Sequence, residues 1–372
     1  MKKFSLLMPP KIIFGYGAVS AFSEAALPGK RAVIVTGKAS SKKNGSLKKI
    51  KSILKKRKIK CFVFNGAEPE VSVETVDKCA AFARFKKADV FIGLGGGSAL
   101  DCAKAACGIF REKRSVKDFL DSRAKIKKEP GYLVAIPTTA GTGSEVTKNA
   151  VLTYTEKRIK ISLRGEKLVP ALVVADPDLT LSMPKKVTAM SGMDALSHAI
   201  ESYFSKGAND FTKALSLEAI KLITGNLYTA YKKPRNREAR YNVLLGSLTA
   251  GLAFANGGLG AVHGIGHPAG AILKIPHGLV NAVLMPHVIR FNLSRCKKEL
   301  KALNKAVNGD IIKIILLLNR KMKIPAKLGK IRKNAKLKTD DIVGTTAYTG
   351  SMSYNPVKMD EAKVYKILKA AL

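Results

Sequence analysis

The chain has 372 residues, enough for two domains, and its 46% hydrophobic and 25% charged shares are those of a globular protein, which excludes wholesale disorder. Lys and Arg number 66 against 27 Asp and Glu, a net charge of +39 that would attract polyanions without specificity. Aromatics are 6% with no Trp and do not interleave with the basic runs, so the charge reads as a lysine-rich solvated surface and no specific nucleic-acid partner is expected.

The start, Met1 to Pro9, has too short an apolar run for a signal peptide, and no stretch of about 18 apolar residues follows, so no membrane association is expected. Strand-like and helical patterns then alternate. Ala32–Thr36 reads as a strand, Ser46–Lys58 as a helix, Lys60–Phe64 as a strand and Val73–Lys87 as a helix. Val90–Leu94 is a strand running into glycines, a helix follows from Ala99, and Tyr132–Ile136 and Ala171–Ala175 read as further strands. Such alternation implies a mostly parallel sheet with helices on both faces. Past Asp176 to Pro184 the pattern turns helical: Val187–Phe204, Asp210–Tyr231, Arg237–Ala255 and others toward Leu372. The expectation is an α/β domain over residues 1–183 and an all-helical domain over 184–372. The five cysteines form no CxxC pair and read as thiols of a reducing compartment, the cytoplasm.

Two loops follow strands. Gly95, Gly96, Gly97 and Ser98 lead into a helix that carries Asp101. Glycines let backbone N–H groups approach a phosphate, and the helix N-terminus adds partial positive charge. The spacing is not that of the GxGxxG fingerprint. The alternative is a tight strand-to-helix turn, but the strand–turn–helix context favours phosphate binding. The second loop, Pro137 to Glu145, is rich in hydroxyls and glycine, and would line the same groove at the strands' carboxyl ends.

Four of the five histidines cluster in motifs. Asp194 and His198 are four apart on a helical pattern, His263 and His267 repeat that spacing, and His277 follows a short loop. A lone histidine is usually structural or exposed; three segments converging on one chemistry point to a divalent metal held by carboxylate and imidazole. His287 lacks such a partner. The donor types suit Fe²⁺ and Zn²⁺ equally.

With these motifs the chain resembles the iron-containing (group III) alcohol dehydrogenases, which have a dehydroquinate synthase-like fold. The resemblance runs from about Pro10 to Asn292. It rests on GGGSALDCAK, PTTAGTGSEVT, MSGMDALSHAIESY, GLAFANGGLGAVHGIGHPAG and PHGLVNAVLMP. It implies a dinucleotide-binding N-terminal domain and a metal- and substrate-binding helical domain. It also implies Asp194, His198, His263 and His277 as ligands to Fe²⁺, with Zn²⁺ a possible substitute. By resemblance His267 lies beside nicotinamide and substrate as a catalytic proton relay, and Gly95 to Ser98 hold the pyrophosphate. Asp101 falls within the same cofactor motif. Thr138, Thr139, Thr142, Lys160 and Leu179 match positions lining the adenosine and ribose side. Asn149 and Phe254 are the candidate substrate-pocket residues.

The implied reaction is hydride transfer between a primary alcohol or diol and its aldehyde, with NAD(P) as partner cofactor and a homodimer as the assembly. Many NAD-preferring members are acidic in the turn after the first long strand; here Gly37, Lys38, Ser40 and Ser41 stand there, favouring NADP(H) over NAD(H). Relatives on the same fold act on glycerol, lactaldehyde, maleylacetate or hydroxy acids; the complete ligand set argues against the metal-free maleylacetate branch. It also ranks a basic nucleic-acid-binding protein with a vestigial site lower. Two departures stand out. The stretch from Lys297 to Asp341 is unusually basic, and Val357 replaces the family's usual Arg after Asn355-Pro356.

Overall fold

Strand runs such as Val90–Gly95, buried along their whole length, require cover on both faces, and a parallel sheet between helical layers supplies it. The computed structural model describes residues 3–38, 41, 44–120, 124–156, 159–346 and 349–372. Ser40 lies outside the described residues. The chain divides into two compact units, Leu7–Ser182 and Met183–Leu372 with the residues up to Leu6.

The α/β unit contains β1 (Ile12–Phe14), α1 (Ala18–Ala21), β2 (Arg31–Val35), α2 (Ser46–Lys56), β3 (Lys60–Phe64), α3 (Val73–Phe85), β4 (Val90–Gly95), α4 (Gly97–Ile109), α5 (Val116–Leu120) and β5 (Tyr132–Pro137). A hairpin, β6 (Asn149–Tyr154) and β7 (Ile159–Arg164), precedes β8 (Leu172–Ala175). Six strands form one parallel sheet in the order β1-β8-β5-β4-β2-β3. Side chains alternate across it, as strand geometry dictates. Val33, Val35 and Phe91 pack toward α3 and α4. Ala32, Ile34, Val90 and Ile92 pack toward α1 and α2.

The chain leaves β2 for β3 on one side, then returns to β4 on the other. This reversal makes a switch point, and the carboxyl ends of β2 and β4 flank it. Open α/β sheets bind ligands at such crevices. The turns after those two strands are Thr36–Lys38 and the glycine loop. The antiparallel β6–β7 pair was not expected from the sequence, because its strands are only six residues each and no Asn-Gly or Asp-Gly turn marks their connection.

The helical unit holds α6 (Lys185–Phe204), α7 (Asp210–Lys232), α8 (Arg237–Gly257), α9 (Ala261–Leu273), α10 (His277–Ala306), α11 (Ile311–Lys321), α12 (Thr339–Thr346) and α13 (Glu361–Ala371). From Gly192 to Phe204 every residue of α6 is buried, so this segment is surrounded by its neighbours. No single helix among the described residues is long and apolar enough to cross a membrane. The pair α8 and α9, bent by 105°, passes that test jointly, and its apolar residues are mostly buried in the unit.

Candidate functional site

Three helices bring the metal-type donors together. Asp194 lies on α6, His263 near the start of α9, and His277 is the first residue of α10. One oxygen and two nitrogens from these residues all lie within 4.8 Å of one another. Asp194 Oδ1 is 3.7 Å from Nε2 of both His263 and His277. Donors bound at about 2.1 Å to a common ion lie at most about 4.2 Å apart, so this set closes on an ion with little movement. His198, one turn beyond Asp194, stacks on His263 with ring centroids 4.3 Å apart and on Phe254 at 4.4 Å. It touches the cluster through its ring and is not one of the three closest donors. His267 stacks on His277 at 4.8 Å.

Charge is concentrated here out of water. Burial would raise the Asp194 carboxyl, but the imidazoles of His198, His277 and His263 outweigh it and hold the group far below the carboxylate range. Burial would lower His263, but hydrogen bonds to Asp194 and Glu201 reverse this and raise it to about 9. In the protein alone, protons on imidazole balance the buried carboxylates. A divalent cation offers the same balance, and one carboxylate with imidazoles is a fitting donor set for Fe²⁺ or Zn²⁺.

Three residues here were missed in the sequence. Asn281 is fully buried on α10; its Nδ2 donates to Asp194 Oδ1 at 2.8 Å and lies 3.1 and 3.0 Å from Nε2 of His263 and His277. Its Oδ1 has no hydrogen-bond partner among the described residues. Glu201 contacts His263, and Asn355 meets the start of α9. Helical spacing would have found two of them: Glu201 follows His198 by three residues, and Asn281 follows His277 by four.

In the α/β unit the glycine loop and the Thr138–Thr142 segment interlock. Gly95 has φ +155°, and a Cβ there would meet Ala99 Cβ at 2.8 Å. A Cβ on Gly97 would meet Thr142 Cγ2 at 2.6 Å, and one on Gly96 would meet Thr139 Oγ1 at 3.2 Å. Thr138 N donates to Gly95 O at 2.9 Å, and no side chain among the described residues caps the α4 N-terminus. Ser98 Oγ accepts from Glu70 N at 2.9 Å, and Lys160 Nζ lies 2.6 Å from Glu70 Oε1.

Other expected contacts sit elsewhere. Asp101 is engaged internally, accepting from Ser144 Oγ at 2.5 Å and Val151 N at 3.1 Å. It ties α4 to the following turn and to β6. Ser41 is fully buried with its hydroxyl 2.6 Å from Thr36 Oγ1, leaving Gly37 and exposed Lys38 after β2. Leu179 is buried in the core layer of α1 and α2. Asn149 lies at the start of β6 in the α/β unit, whereas Phe254 lies beside His198 in the helical unit.

A switch-point glycine loop in a parallel α/β unit and a buried carboxylate–imidazole cluster in a helical unit define an enzyme of the dehydroquinate synthase-like class. Residues 9–177 match the iron-containing alcohol dehydrogenase family, and residues 188–372 match the family's C-terminal domain. The second match extends past Asn292, where the sequence resemblance was expected to end. An NADPH-dependent butanol dehydrogenase of Clostridium saccharobutylicum is 34% identical over 99% of this chain and 97% of that protein. A 1,3-propanediol dehydrogenase of Klebsiella pneumoniae is 38% identical over 78% of this chain and 76% of that protein. The structure of an alcohol dehydrogenase from Oenococcus oeni superimposes with a TM-score of 0.95 at 31% identity, covering all of both chains. The chain belongs to the iron-containing alcohol dehydrogenase family. It is an oxidoreductase that acts on alcohols with a nicotinamide cofactor, and the nucleic-acid alternative is not favoured.

Proposed function

We propose that this enzyme interconverts a small primary alcohol or diol with its aldehyde, using NADP(H) and a divalent ion held by Asp194, His198, His263 and His277. The Asp194–His263–His277 cluster, with Asp194 and His263 buried and His277 half-buried, carries the reading. When bound, the ion polarises the alcohol oxygen and the nicotinamide accepts or returns hydride. Asp194 would supply the charge that retains the cation, with the imidazoles as its neutral donors. His267, stacked on His277, is suited to exchange a proton with solvent. Phe254, against His198, offers an apolar wall. The glycine loop, with its uncapped helix N-terminus, suits the pyrophosphate.

The NADP(H) preference is supported by Gly37 and exposed Lys38 in the turn after β2, within a stretch from Ala25 to Ala67 whose sequence contains no acidic residue to repel a 2′-phosphate. Ser41, with its hydroxyl bonded to Thr36, adds nothing to that case. The related butanol dehydrogenase described as NADPH-dependent agrees. We assign the enzyme to the cytoplasm, in keeping with its five unpaired thiols, and to a homodimer.

An anaerobic alcohol panel with Fe²⁺-loaded enzyme tests the activity. Turnover should require Fe²⁺, and kcat/KM should favour NADP⁺; equal or better use of NAD⁺ would remove the cofactor preference. His267→Ala should lower kcat about 10²- to 10⁴-fold while metal content stays at wild-type level. Unchanged turnover would rule out the relay role.

A further inference from the structure

We propose that Glu201 is a positioning residue that fixes the His263 imidazole for the metal. The inference rests on the metal reading above. It follows from how α9 begins. The first turn of any helix leaves backbone N–H groups without intrahelical partners. At the start of α9 the N-cap is Gly260, which has no side chain to supply one. Two side chains from elsewhere do so. Asn355 Oδ1 accepts from Ala261 N at 3.2 Å, and Glu201 accepts from Val262 N at 2.6 Å and His263 N at 3.3 Å. The glycine is what admits them, because a Cβ at position 260 would lie 2.9 Å from Glu201 Oε1 and 3.0 Å from Asn355 Oδ1.

Glu201 does one thing that Asn355 does not. Its Oε2 lies 2.5 Å from His263 Nδ1, with both residues buried. A carboxylate has no hydrogen to donate, so this contact places a hydrogen on Nδ1. Nε2, the nitrogen facing Asp194, is then the atom whose lone pair binds an ion. The same carboxylate sets the ring's orientation and, through the backbone of residues 262 and 263, the position of its Cα. A carboxylate behind a ligating imidazole commonly raises metal affinity by about 10- to 100-fold. Asn355 anchors the same helix end without touching the ring, so the two residues separate positioning from support. The Asn355-Pro356 turn near the C-terminus thereby has a structural purpose that does not need the Arg replaced by Val357.

The test is metal binding by the chelator-stripped apoprotein. Co²⁺ is titrated through its visible absorption, and fold is monitored by far-ultraviolet circular dichroism. Glu201→Gln should bind Co²⁺ about 10- to 100-fold more weakly than wild type with an altered visible spectrum. Glu201→Asp should recover part of that loss, and Asn355→Ala should lower thermal stability while changing the Kd less than threefold. A Glu201→Gln Kd within threefold of wild type would overturn the proposal. So would an Asn355→Ala loss as large as that of Glu201→Gln. If Glu201→Gln does not fold, Glu201→Ala is judged by the same threefold limit. Wild-type protein that takes up no Co²⁺ would instead remove the metal reading itself, and this inference with it.

Discussion

Glu145 is a buried acid that the proposed chemistry does not use. It lies in the turn Ser144–Val146 and is 1% exposed; burial raises its carboxyl to about 7, against partial compensation from Lys104. A carboxyl raised on folding binds its proton more tightly in the folded chain. Its contribution is therefore most favourable below the unfolded value near 4.5 and is lost as pH rises toward 7. Glu145→Gln should remove about 2–3 kcal/mol of that decline between pH 4.5 and 7, read as a flatter profile in urea unfolding. An unchanged profile would show that the carboxyl does not titrate there. Lys104, also buried, bonds Ser144 O at 2.8 Å and Thr147 Oγ1 at 2.9 Å, so the turn is cross-braced beside the loop it supports. At this scale the histidine spacing pointed to Asp194, His263 and His277, the three donors that the fold brings together. Asn281 and Glu201 were not singled out although their helical spacing from His277 and His198 pointed to them, because an amide and a carboxylate carry no metal-site signature of their own until folding buries them.

Helix ends show why boundaries were harder to read. The sequence pattern carried helices to Lys58 and Lys87, whereas α2 and α3 end at Lys56 and Phe85. The overshoot has a common cause. Lys58, Lys87, Lys274 and Lys323 all adopt left-handed backbone, with φ between 50° and 59°, just beyond a helix. The next residue closes the terminal turn in each case, as in Ile59 N to Leu54 O at 2.9 Å and Ile324 N to Asn319 O at 2.8 Å. Glycine usually fills this place, and its absence removed the stop signal. Each lysine there carries strain of about 1 kcal/mol, partly offset because glycine is freer in the unfolded chain. Lys323→Gly and Lys58→Gly should each raise unfolding free energy by about 0.5–1 kcal/mol in chemical denaturation. A loss of stability in both would contradict this account. The β6–β7 hairpin went unread for a related reason. Ile159, Ile161 and Leu163 alternate cleanly with Lys160, Ser162 and Arg164, but the run is only six residues long and no glycine-containing turn signal joins it to β6.

For the whole molecule, strand–helix alternation gave the fold class away, and one helical block after Pro184 marked the change in architecture. The +39 charge did not point to function. Lysine has entered even helix-stop positions, which fits a compositional bias better than a designed binding face. The charge still has a physical cost: two such chains repel through water over about 10 Å at 0.1 M salt and farther at lower salt. The proposed homodimer should accordingly tighten as salt rises. Sedimentation velocity at 20 mM and 500 mM NaCl should show a larger dimer fraction at the higher concentration, and the opposite trend would indicate that ion pairs hold the interface.

The pairing of β1 with β8 places constraints on synthesis as well as on architecture. Phe14 lies opposite Ala175, roughly 160 residues later in the chain. At about 5–20 residues per second, the first strand waits on the order of ten seconds or more on the ribosome before its partner is made. Once β5 (Tyr132–Pro137) has been made, it has nothing along its outer side until β8 (Leu172–Ala175) follows, and over that part of the interval the nascent chain carries an open sheet edge. Translation speed from Pro137 to Ala175 therefore governs how long this unit is open to mispairing.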